Sequence, residues 1–400
     1  MKVAVGVSES FDPVEAFAEA SAAARRGLDG ARCDLALAFA GPPHLTHGKW
    51  ILSTIHDELD PRNLIGCGAG GVVGGGREIE EGAGAVVWAA SLPGAQVDVH
   101  HLEIVAADDA PRPGSEGFAA RDLEADTATS ELDASALGDA LIVLADPYSF
   151  PTELLLRRLN EHRPGLPVIG GLASAGAAGS AALFAGGEVL EGGAVACSLS
   201  GLSVVPCVSQ GAAPVGPEMT ITAAEGNVIA ELASKPAIDR LGEAIATLEP
   251  REQALAAEGL LLGIVIDENK PEYRRGDFLV RPIVGADREA GTIAVGERVR
   301  VGQTVRMHVR DGASADEDLR AALRLQAEAL ASEPPAGALV FTCNGRGSHM
   351  FDVPDHDASA VEDAFGVPAG GFFCAGEIGP VGGRNFLHGF TATIVLLADR

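Results

Sequence analysis

The feature that most constrains the fold of this chain is a strand–helix–strand pattern that occurs three times along it. In each copy, an apolar strand leads into a helical stretch, a second strand ending in glycine, a loop of small residues and a third apolar strand. The first strands are 34–40, 140–145 and 337–342, the second strands are 63–66, 166–170 and 367–371, and the third strands are 85–92, 194–199 and 390–397. One such unit cannot bury both faces of its strands. The copies therefore predict a mixed α/β fold of repeated βαβ-type units, with central mixed sheets and outer helices.

A segment rich in proline and glycine, 210–219, predicts a boundary between two domains, at 1–215 and 216–400. Strand-like segments between 259 and 311 fit a fourth, degenerate copy of the unit. A polar, acidic stretch at 106–133 predicts an exposed connector with a helical piece.

The charge of the chain limits its partners. Acidic residues outnumber basic residues by 56 to 29, which leaves a formal net charge of −27. Such a field repels polyanions and no dense run of Lys or Arg offsets it, so we expect neither nucleic acid nor an anionic membrane as a partner. The amino terminus lacks the apolar segment of a signal peptide, and no run of about 18 apolar residues occurs, which predicts a cytoplasmic protein.

Two glycine-rich loops of the third copy, 342–352 and 370–389, hold the polar residue types that bind ligands. Glycine permits positive φ and lets main-chain N–H groups approach a ligand closely. Ligands of open α/β sheets collect at the carboxyl ends of strands, where both loops begin. The candidate ligand-binding residues are Cys343, Asn344, Gly345, Arg346, Gly347, Cys374, Gly376, Glu377, Arg384 and Asn385.

Arg346 and Arg384 predict a clamp for a ligand carboxylate, because a planar guanidinium binds carboxylates in bidentate fashion. Glu377 could receive an ammonium group, so the two loops are complementary to an amino acid. We expect Arg346, Glu377 and Asn385 to line one pocket. The alternative is that the glycines only form tight turns and that Glu377 pairs with Arg346 or Arg384.

A nucleophilic site is a second alternative, in which Cys343 or Cys374 attacks a substrate and His349 or His388 acts as the base. This alternative requires an oriented base, which the sequence does not establish, so we rank it below binding and assign no catalytic residue. The six cysteines are scattered without a CxxC pair, and no disulfide framework is expected.

Two histidine pairs raise the question of a metal site: His44 with His47, and His349 with His356. Neither pair has a third ligand nearby except carboxylates, whereas a closed site needs about four ligands. We therefore expect unliganded surface histidines and no metal.

The motif CNGRG at 343–347, followed by GFFCAGEIGPVGGRNF at 371–386, resembles the closing signature of the FIST proteins, named for F-box and intracellular signal transduction. The segment IGCGAGG at 65–71 is similar to a looser FIST motif of the amino-terminal half. It has Gly68 and Ala69 where the family often has serine or threonine.

The resemblance covers nearly the whole chain, with an amino-terminal module at 25–215 and a carboxy-terminal module at 217–385. It implies a sensory role in signal transduction, with amino acids as a proposed ligand class and a signalling partner such as a histidine kinase. Some members bind haem through a histidine that matches no single position here, so no cofactor is predicted. The sequence thus predicts a cytoplasmic small-ligand sensor rather than an enzyme. The alternatives are a cysteine-dependent hydrolase and a haem-binding gas sensor.

Overall fold

A computed structural model describes residues 1–105, 117–122, 130–175 and 182–400. The predicted connector at 106–133 lies largely outside the described residues. The helices are α1 Pro13–Leu28, α2 Gly48–Leu59, α3 Thr152–His162, α4 Ala237–Ala246, α5 Pro250–Glu258, α6 Gly312–Ala329, α7 Ser348–Phe351 and α8 His356–Phe365, with 3₁₀ turns at Pro42–His47 and Ala134–Ala136.

The strands of the first half of the chain are β1 Lys2–Ser8, β2 Leu35–Ala40, β3 Asn63–Gly68, β4 Val72–Gly74, β5 Arg77–Ile79, β6 Ala85–Ser91, β7 Gln96–Val105, β8 Gly117–Asp122, β9 Ser130–Glu131, β10 Ala140–Ala145, β11 Val168–Leu172, β12 Leu183–Ala185, β13 Glu188–Leu190, β14 Ala194–Ser200 and β15 Ser203–Gln210. The strands of the second half are β16 Ala212–Glu225, β17 Val228–Leu232, β18 Lys235–Pro236, β19 Leu260–Val265, β20 Phe278–Asp287, β21 Thr292–Val295, β22 Thr304–Arg310, β23 Gly337–Cys343, β24 Ala369–Cys374, β25 Glu377–Val381, β26 Arg384–His388 and β27 Thr391–Ala398.

The chain divides into two compact units. The larger comprises Met1–Val208, Leu319–Leu387 and Ala392–Arg400, and the smaller comprises Ser209–Asp318 and His388–Thr391. The smaller unit begins at Ser209, one residue before the predicted boundary segment. The larger unit then resumes within the predicted second domain, because the strands of the third sheet pair with strands from the first half of the chain.

Each of the larger unit's three mixed sheets, over the described residues, is built around one βαβ pair. The strands β2 and β3, β10 and β11, and β23 and β24 pair in parallel. A return strand pairs antiparallel with the first strand of each pair: β6 with β2, β14 with β10 and β27 with β23. The predicted mixed α/β class is confirmed.

Hairpins exchanged between the three βαβ copies complete these sheets. The strand β4 of the first copy pairs with β24 of the third, β12 of the second pairs with β3 of the first, and β25 of the third pairs with β11 of the second. In the same way, β7 pairs with β14, β15 lies beside β27, and β1 pairs with β6. The exchange is cyclic, so the two chain ends meet: the amino group of Met1 lies 3.0 Å from Asp399 Oδ1.

The inner faces of the three sheets share one apolar core, which contains residues of β2, β3, β6, β10, β11, β14, β23, β24 and β27. Trp88 is fully buried there, and its indole N–H donates to the carbonyl of Ala338 at 3.0 Å, which joins the first sheet to the third. The opposite faces pack against helices. The helices α1 and α2 cover the first sheet, α3 the second, and α6 and α8 the third.

Local sequence explains why α1 forms where it does. The Asp12 carboxylate accepts hydrogen bonds from the N–H groups of Val14 and Glu15, both at 2.9 Å, and Pro13 occupies the first turn. The buried face has helical spacing, and its members are Ala16, Phe17, Ala20, Ala24 and Leu28.

The smaller unit is an antiparallel sheet with the strand order β16-β22-β19-β20-β21-β17-β18. An additional pairing of β16 with β17 closes six of these strands into a ring. Because all its neighbouring strands are antiparallel, this unit is not a fourth copy of the βαβ pattern, and that interpretation was wrong. Across the described part of the chain, no helix combines the length and apolar character that a membrane span requires.

A buried histidine in the smaller unit gives its stability a defined pH dependence. His308 is fully buried, its ring packs edge-on against Phe278 at 4.9 Å, and its Nδ1 lies 3.1 Å from the carbonyl oxygen of Arg306. Burial lowers the pKa of His308 from 6.5 to about 4. Between pH 6.5 and about pH 4, His308 is therefore protonated in the unfolded chain but neutral in the folded chain. The free energy of unfolding consequently falls as the pH is lowered through this window.

We predict that the free energy of unfolding falls by about 3 kcal/mol more between pH 7 and pH 4 in the wild type than in His308→Asn, at about 1.4 kcal/mol for each pKa unit. Asparagine does not titrate and keeps a donor for the carbonyl of Arg306. Urea unfolding at several pH values measures the difference. Replacement of the exposed His162 by asparagine is the control, and equal pH slopes for wild type and His308→Asn would contradict the prediction.

Candidate functional site

The carboxyl ends of the parallel strands meet in the larger unit through loops of small residues. Ser174, which follows β11, accepts a hydrogen bond from the N–H of Gly70 at 2.8 Å and donates one to the carbonyl of Phe373. The N–H of Ala375 donates to Leu172 at 3.0 Å. We call the segments 68–71, 173–175, 343–347 and 374–377 the strand-end junction.

The surface of the junction is formed by few side chains. Asn344 and Ala375 are exposed, and Gly70, Ser174 and Gly345 are half-buried. The larger polar residues lie beneath this surface: Cys343, Arg346, Cys374 and Glu377 are all buried. Of the predicted ligand-binding side chains in the junction, only that of Asn344 is presented to solvent.

Arg346 is engaged by a buried carboxylate within the protein. Its Nε and Nη2 each lie 2.7 Å from an oxygen of Asp357, which is the first-turn residue of α8 that follows His356. Thr342 Oγ1 donates to the same carboxylate at 2.5 Å, and His356 Nδ1 lies 2.9 Å from it. The guanidinium also lies over the ring of Phe351, 5.0 Å from its centroid. This network fixes the loop that carries Asn344.

The network sets the ionisation of its members. Burial alone would raise the pKa of Asp357, but the charge of Arg346 and hydrogen bonds from Arg346, His356 and Thr342 outweigh burial and hold that pKa well below its usual range. Burial alone would likewise lower the pKa of Arg346, yet Asp357 and then Glu377 hold it above the ordinary value. Both partners therefore stay charged although both are buried.

The predicted arginine clamp needs correction. The edge of the guanidinium that would bind a ligand carboxylate is occupied by Asp357, so Arg346 is not available as a bidentate ligand group. Its Nη1 has no hydrogen-bond partner among the described residues, but the side chain is fully buried. Arg384 is exposed at the start of β26, where it lies over the ring of Phe386 at 5.7 Å.

The predicted pocket of three residues is also not formed. Arg346 and Glu377 are close enough to interact electrostatically, but Asn385 lies near the other end of β11. Glu377 pairs with Gly171 at the carboxyl end of this strand, whereas Asn385 Oδ1 accepts from the N–H of Val168 at its amino end. Three residues of strand separate these positions, about 10 Å at 3.3 Å per residue.

Asn385 joins the third βαβ copy to the second. Besides Val168, its amide binds the carbonyl of Leu166 at 2.8 Å and Asn160 Oδ1 at 3.0 Å. The backbone N–H of Asn385 donates to Asn160 Oδ1 at 2.8 Å as well. These contacts give Asn385 a structural role, because its side chain holds β26 against α3 and the start of β11.

Two acidic residues that the sequence analysis missed support the junction from β5 and the turn after it. Glu78 Oε1 accepts from the N–H of Ala358 at 2.9 Å, and Glu80 accepts from the N–H and hydroxyl of Ser348 at 2.8 and 3.0 Å. Burial, and then the charge of Asp357, raise the pKa of Glu78 to about 7. Asp357 lies four residues before Val361, which places it on the apolar face of α8, and this spacing could have indicated a buried carboxylate. No comparable pattern in the sequence marks Glu78.

Cys374, one of the two thiols of the junction, is a poor candidate for an ionised nucleophile. Cys374 is fully buried, and burial, followed by the charge of Glu377, raises its pKa well above 9.0. Of the two predicted bases, His349 is exposed on α7 and His388 is buried at the end of β26. This environment opposes the cysteine-hydrolase alternative at Cys374, because the thiolate is the reactive form.

Only one histidine of each predicted pair lies at the surface. His44 is fully buried, with its ring edge-on to Phe17 at 5.9 Å, and His356 is also buried, so the expectation of surface histidines was wrong for both. Across the part of the chain that the structure describes, no three His, Cys, Asp or Glu side chains are grouped in a way that could hold a metal ion.

Two surface cavities lie away from the junction. One, of 790 Å³, lies beside α3 and includes Leu155 and Arg158, and another, of 580 Å³, includes His101 and Ser149. Neither is lined by a predicted ligand-binding residue. We favour the junction because it combines strand ends, close backbone contacts and an exposed amide.

Comparison with known proteins identifies relatives over the full length of the chain. The model of the FIST N domain matches residues 34–235, and that of the FIST C domain matches residues 237–380. An uncharacterized protein of Mycobacterium tuberculosis strain H37Rv is 43% identical over 401 residues, which cover 100% of both chains. An uncharacterized protein of Mycobacterium bovis strain AF2122/97 is 41% identical over 401 residues, which cover 100% of this chain and 99% of the relative.

We predict that Asp357→Asn destabilises the protein by about 3–5 kcal/mol, because it leaves the Arg346 guanidinium buried without its counter-charge. Asp352→Asn is the matched control, since Asp352 is exposed and its positive φ of 55° suits asparagine. Urea unfolding of both variants at neutral pH measures the effect. Equal stability of the two variants would contradict the assigned role of the ion pair.

Proposed function

The chain belongs to the FIST family, and on that premise we propose that it is a sensory protein that binds a small polar metabolite at the strand-end junction. FIST domains are associated with sensing in signal transduction. The further steps, namely the ligand class, the place of binding and the partner, are proposals that rest on the geometry of the larger unit.

The observation that carries the proposal is the position of Asn344. Its side chain is exposed where the loops of three βαβ pairs meet, and a Cβ atom built on Gly70 would lie 3.7 Å from its Oδ1. An amide offers both a donor and an acceptor, and the surrounding small residues leave its neighbourhood open to a ligand. Carboxyl ends of parallel strands are also where open α/β sheets bind their ligands.

The charges around the junction favour a particular ligand class. The predicted carboxylate clamp is occupied by Asp357, and the net charge of −27 opposes anions. The remaining recognition groups are the Asn344 amide and main-chain groups, which suit a ligand that is neutral or zwitterionic overall. An amino acid or a similar small polar metabolite has that character.

A physical connection leads from the proposed site to a helix. Asn344 and Arg346 belong to one short loop, and Arg346 is bound to Asp357 in the first turn of α8. A ligand that moves Asn344 would therefore change the forces on the amino end of α8. We propose that this end of α8 communicates the bound state to a cytoplasmic signalling partner such as a histidine kinase.

We predict that a thermal-shift screen of amino acids and related metabolites finds a stabilising ligand, since a ligand at 100 times its dissociation constant adds about 2.7 kcal/mol. Asn344→Ala should weaken binding of that ligand about tenfold, as expected for loss of a hydrogen bond of about 1–1.5 kcal/mol. Calorimetric titration of wild type and variant measures the change. Unchanged affinity would exclude Asn344 as a contact.

A second variant tests the location by adding volume. A Cβ atom on Gly70 would meet its neighbours, the Ser174 carbonyl oxygen at 3.4 Å and Asn344 Oδ1 at 3.7 Å, at ordinary contact distances, so Gly70→Ala should fold normally and obstruct the ligand. Gly187→Ala, at an exposed glycine with nothing within 4 Å of an added Cβ, is the matched control. Equal ligand affinity in both would place binding elsewhere, and a Soret band in the purified protein would favour the haem-sensor alternative.

A further inference from the structure

Two cysteines lie side by side beneath the surface of the strand-end junction. Cys343 ends β23 and Cys374 ends β24, and the two are direct partners in the parallel pairing of these strands. Neighbouring strands are about 4.8 Å apart, which falls within the Cα separation of about 4.4–6.8 Å found across disulfides. Residues directly opposite on parallel strands direct their side chains to the same face of a sheet. Both cysteines are reduced in this structure.

The two thiols differ in their access to solvent. Cys343 is 9% exposed and adjoins the exposed Asn344, whereas Cys374 is fully buried. A third thiol, that of Cys67 at the end of β3, is also fully buried, and both Cys67 and Cys343 contribute to the raised pKa of Cys374. A small oxidant would therefore reach Cys343 first, and Cys374 would be the adjacent resolving thiol.

We propose that Cys343 and Cys374 form an oxidation-sensitive dithiol that closes to a disulfide when a peroxide reaches the junction. The inference concerns the chemistry of these two side chains and does not depend on the proposed metabolite ligand.

The reaction consumes one peroxide for each disulfide. The Cys343 sulfur attacks one peroxide oxygen, the O–O bond breaks, and Cys343 becomes a sulfenic acid while the other oxygen takes the thiol proton and leaves as water. The Cys374 sulfur then attacks the Cys343 sulfur, and the hydroxyl of the sulfenic acid leaves as a second water with the proton of Cys374. Two thiols lose two electrons, and hydrogen peroxide gains them.

The new bond would act on the loops that form the junction. The disulfide would join Cys343 to Cys374, the residues that directly precede Asn344 and Ala375. Asn344 and Ala375 are the exposed residues of the junction. The raised pKa of Cys374 makes the second step slow at neutral pH and faster as the pH rises, because thiolate is the attacking form. The expected modification is therefore a gradual one that depends on peroxide dose and pH.

The test treats the reduced, full-length protein with hydrogen peroxide, removes the oxidant and counts thiols in denaturant. Reduced protein has six thiols, so the count should fall to four (6 − 2) and return to six after reduction. Peptide mapping without reduction should find one cross-link, between the peptides of Cys343 and Cys374. The cross-link should lie within one chain, with no disulfide between chains.

Serine variants provide the controls. Cys343→Ser should keep all five remaining thiols at the same peroxide dose. Cys374→Ser should fall from five thiols to four, because Cys343 is still oxidised but stops at the sulfenic acid, and no cross-link should form. Cys197→Ser, which removes a buried thiol of β14, should lose two of its five as the wild type does. The peptide map of the wild type decides the question even if a variant does not fold. Retention of six thiols, a cross-link through Cys67 or a disulfide between two chains would each overturn the proposal.

Discussion

Every strand at the edge of a sheet leaves backbone N–H and C=O groups to be paired, and the larger unit meets this constraint by exchange. Each βαβ pair would end in an open edge at its second strand. A strand from another copy fills that edge in each sheet, as β4 does for β24, β12 for β3 and β25 for β11. The three copies are consequently interdependent, and the pairing of β1 with β6 completes the cycle beside the carboxy terminus.

The same exchange creates the strand-end junction. To leave one sheet and enter the next, the chain must cross immediately after the second strand of each pair, and small residues let the three crossings approach one another. Hydrogen bonds such as those from Gly70 to Ser174 and from Ala375 to Leu172 join these crossings directly. The site is thus a product of how the sheets are completed, which explains why glycine and alanine are dense there.

The buried ion pair of Arg346 and Asp357 gives the junction its rigidity on the side of the third copy. Removing two charges from water is costly, and the bidentate geometry together with the hydrogen bond from Thr342 offsets that cost. An arginine that the sequence presents as a recognition group is used to hold its own loop. In the proposed site, recognition is left to Asn344 and to main-chain groups, so an amino-acid ligand would be bound there without an arginine clamp on its carboxylate.

The sequence by itself determined the mixed α/β class, the apolar strands and the place of the two glycine-rich loops after strands β23 and β24, because these depend on local periodicity and on motifs within short segments. It could not assign a partner to Arg346, since Asp357 and Glu377 are both carboxylates within reach of the same loop and only packing chooses between them. Nor could it separate Asn385 from Glu377, eight residues away along the chain, because that separation arises when β25 pairs antiparallel with β11 and β26 lies beside β25. Periodicity reports which side of a strand is buried. Which groups meet across sheets is decided by long-range pairing and burial, so the residues that meet at the strand-end junction could be identified only in the tertiary structure.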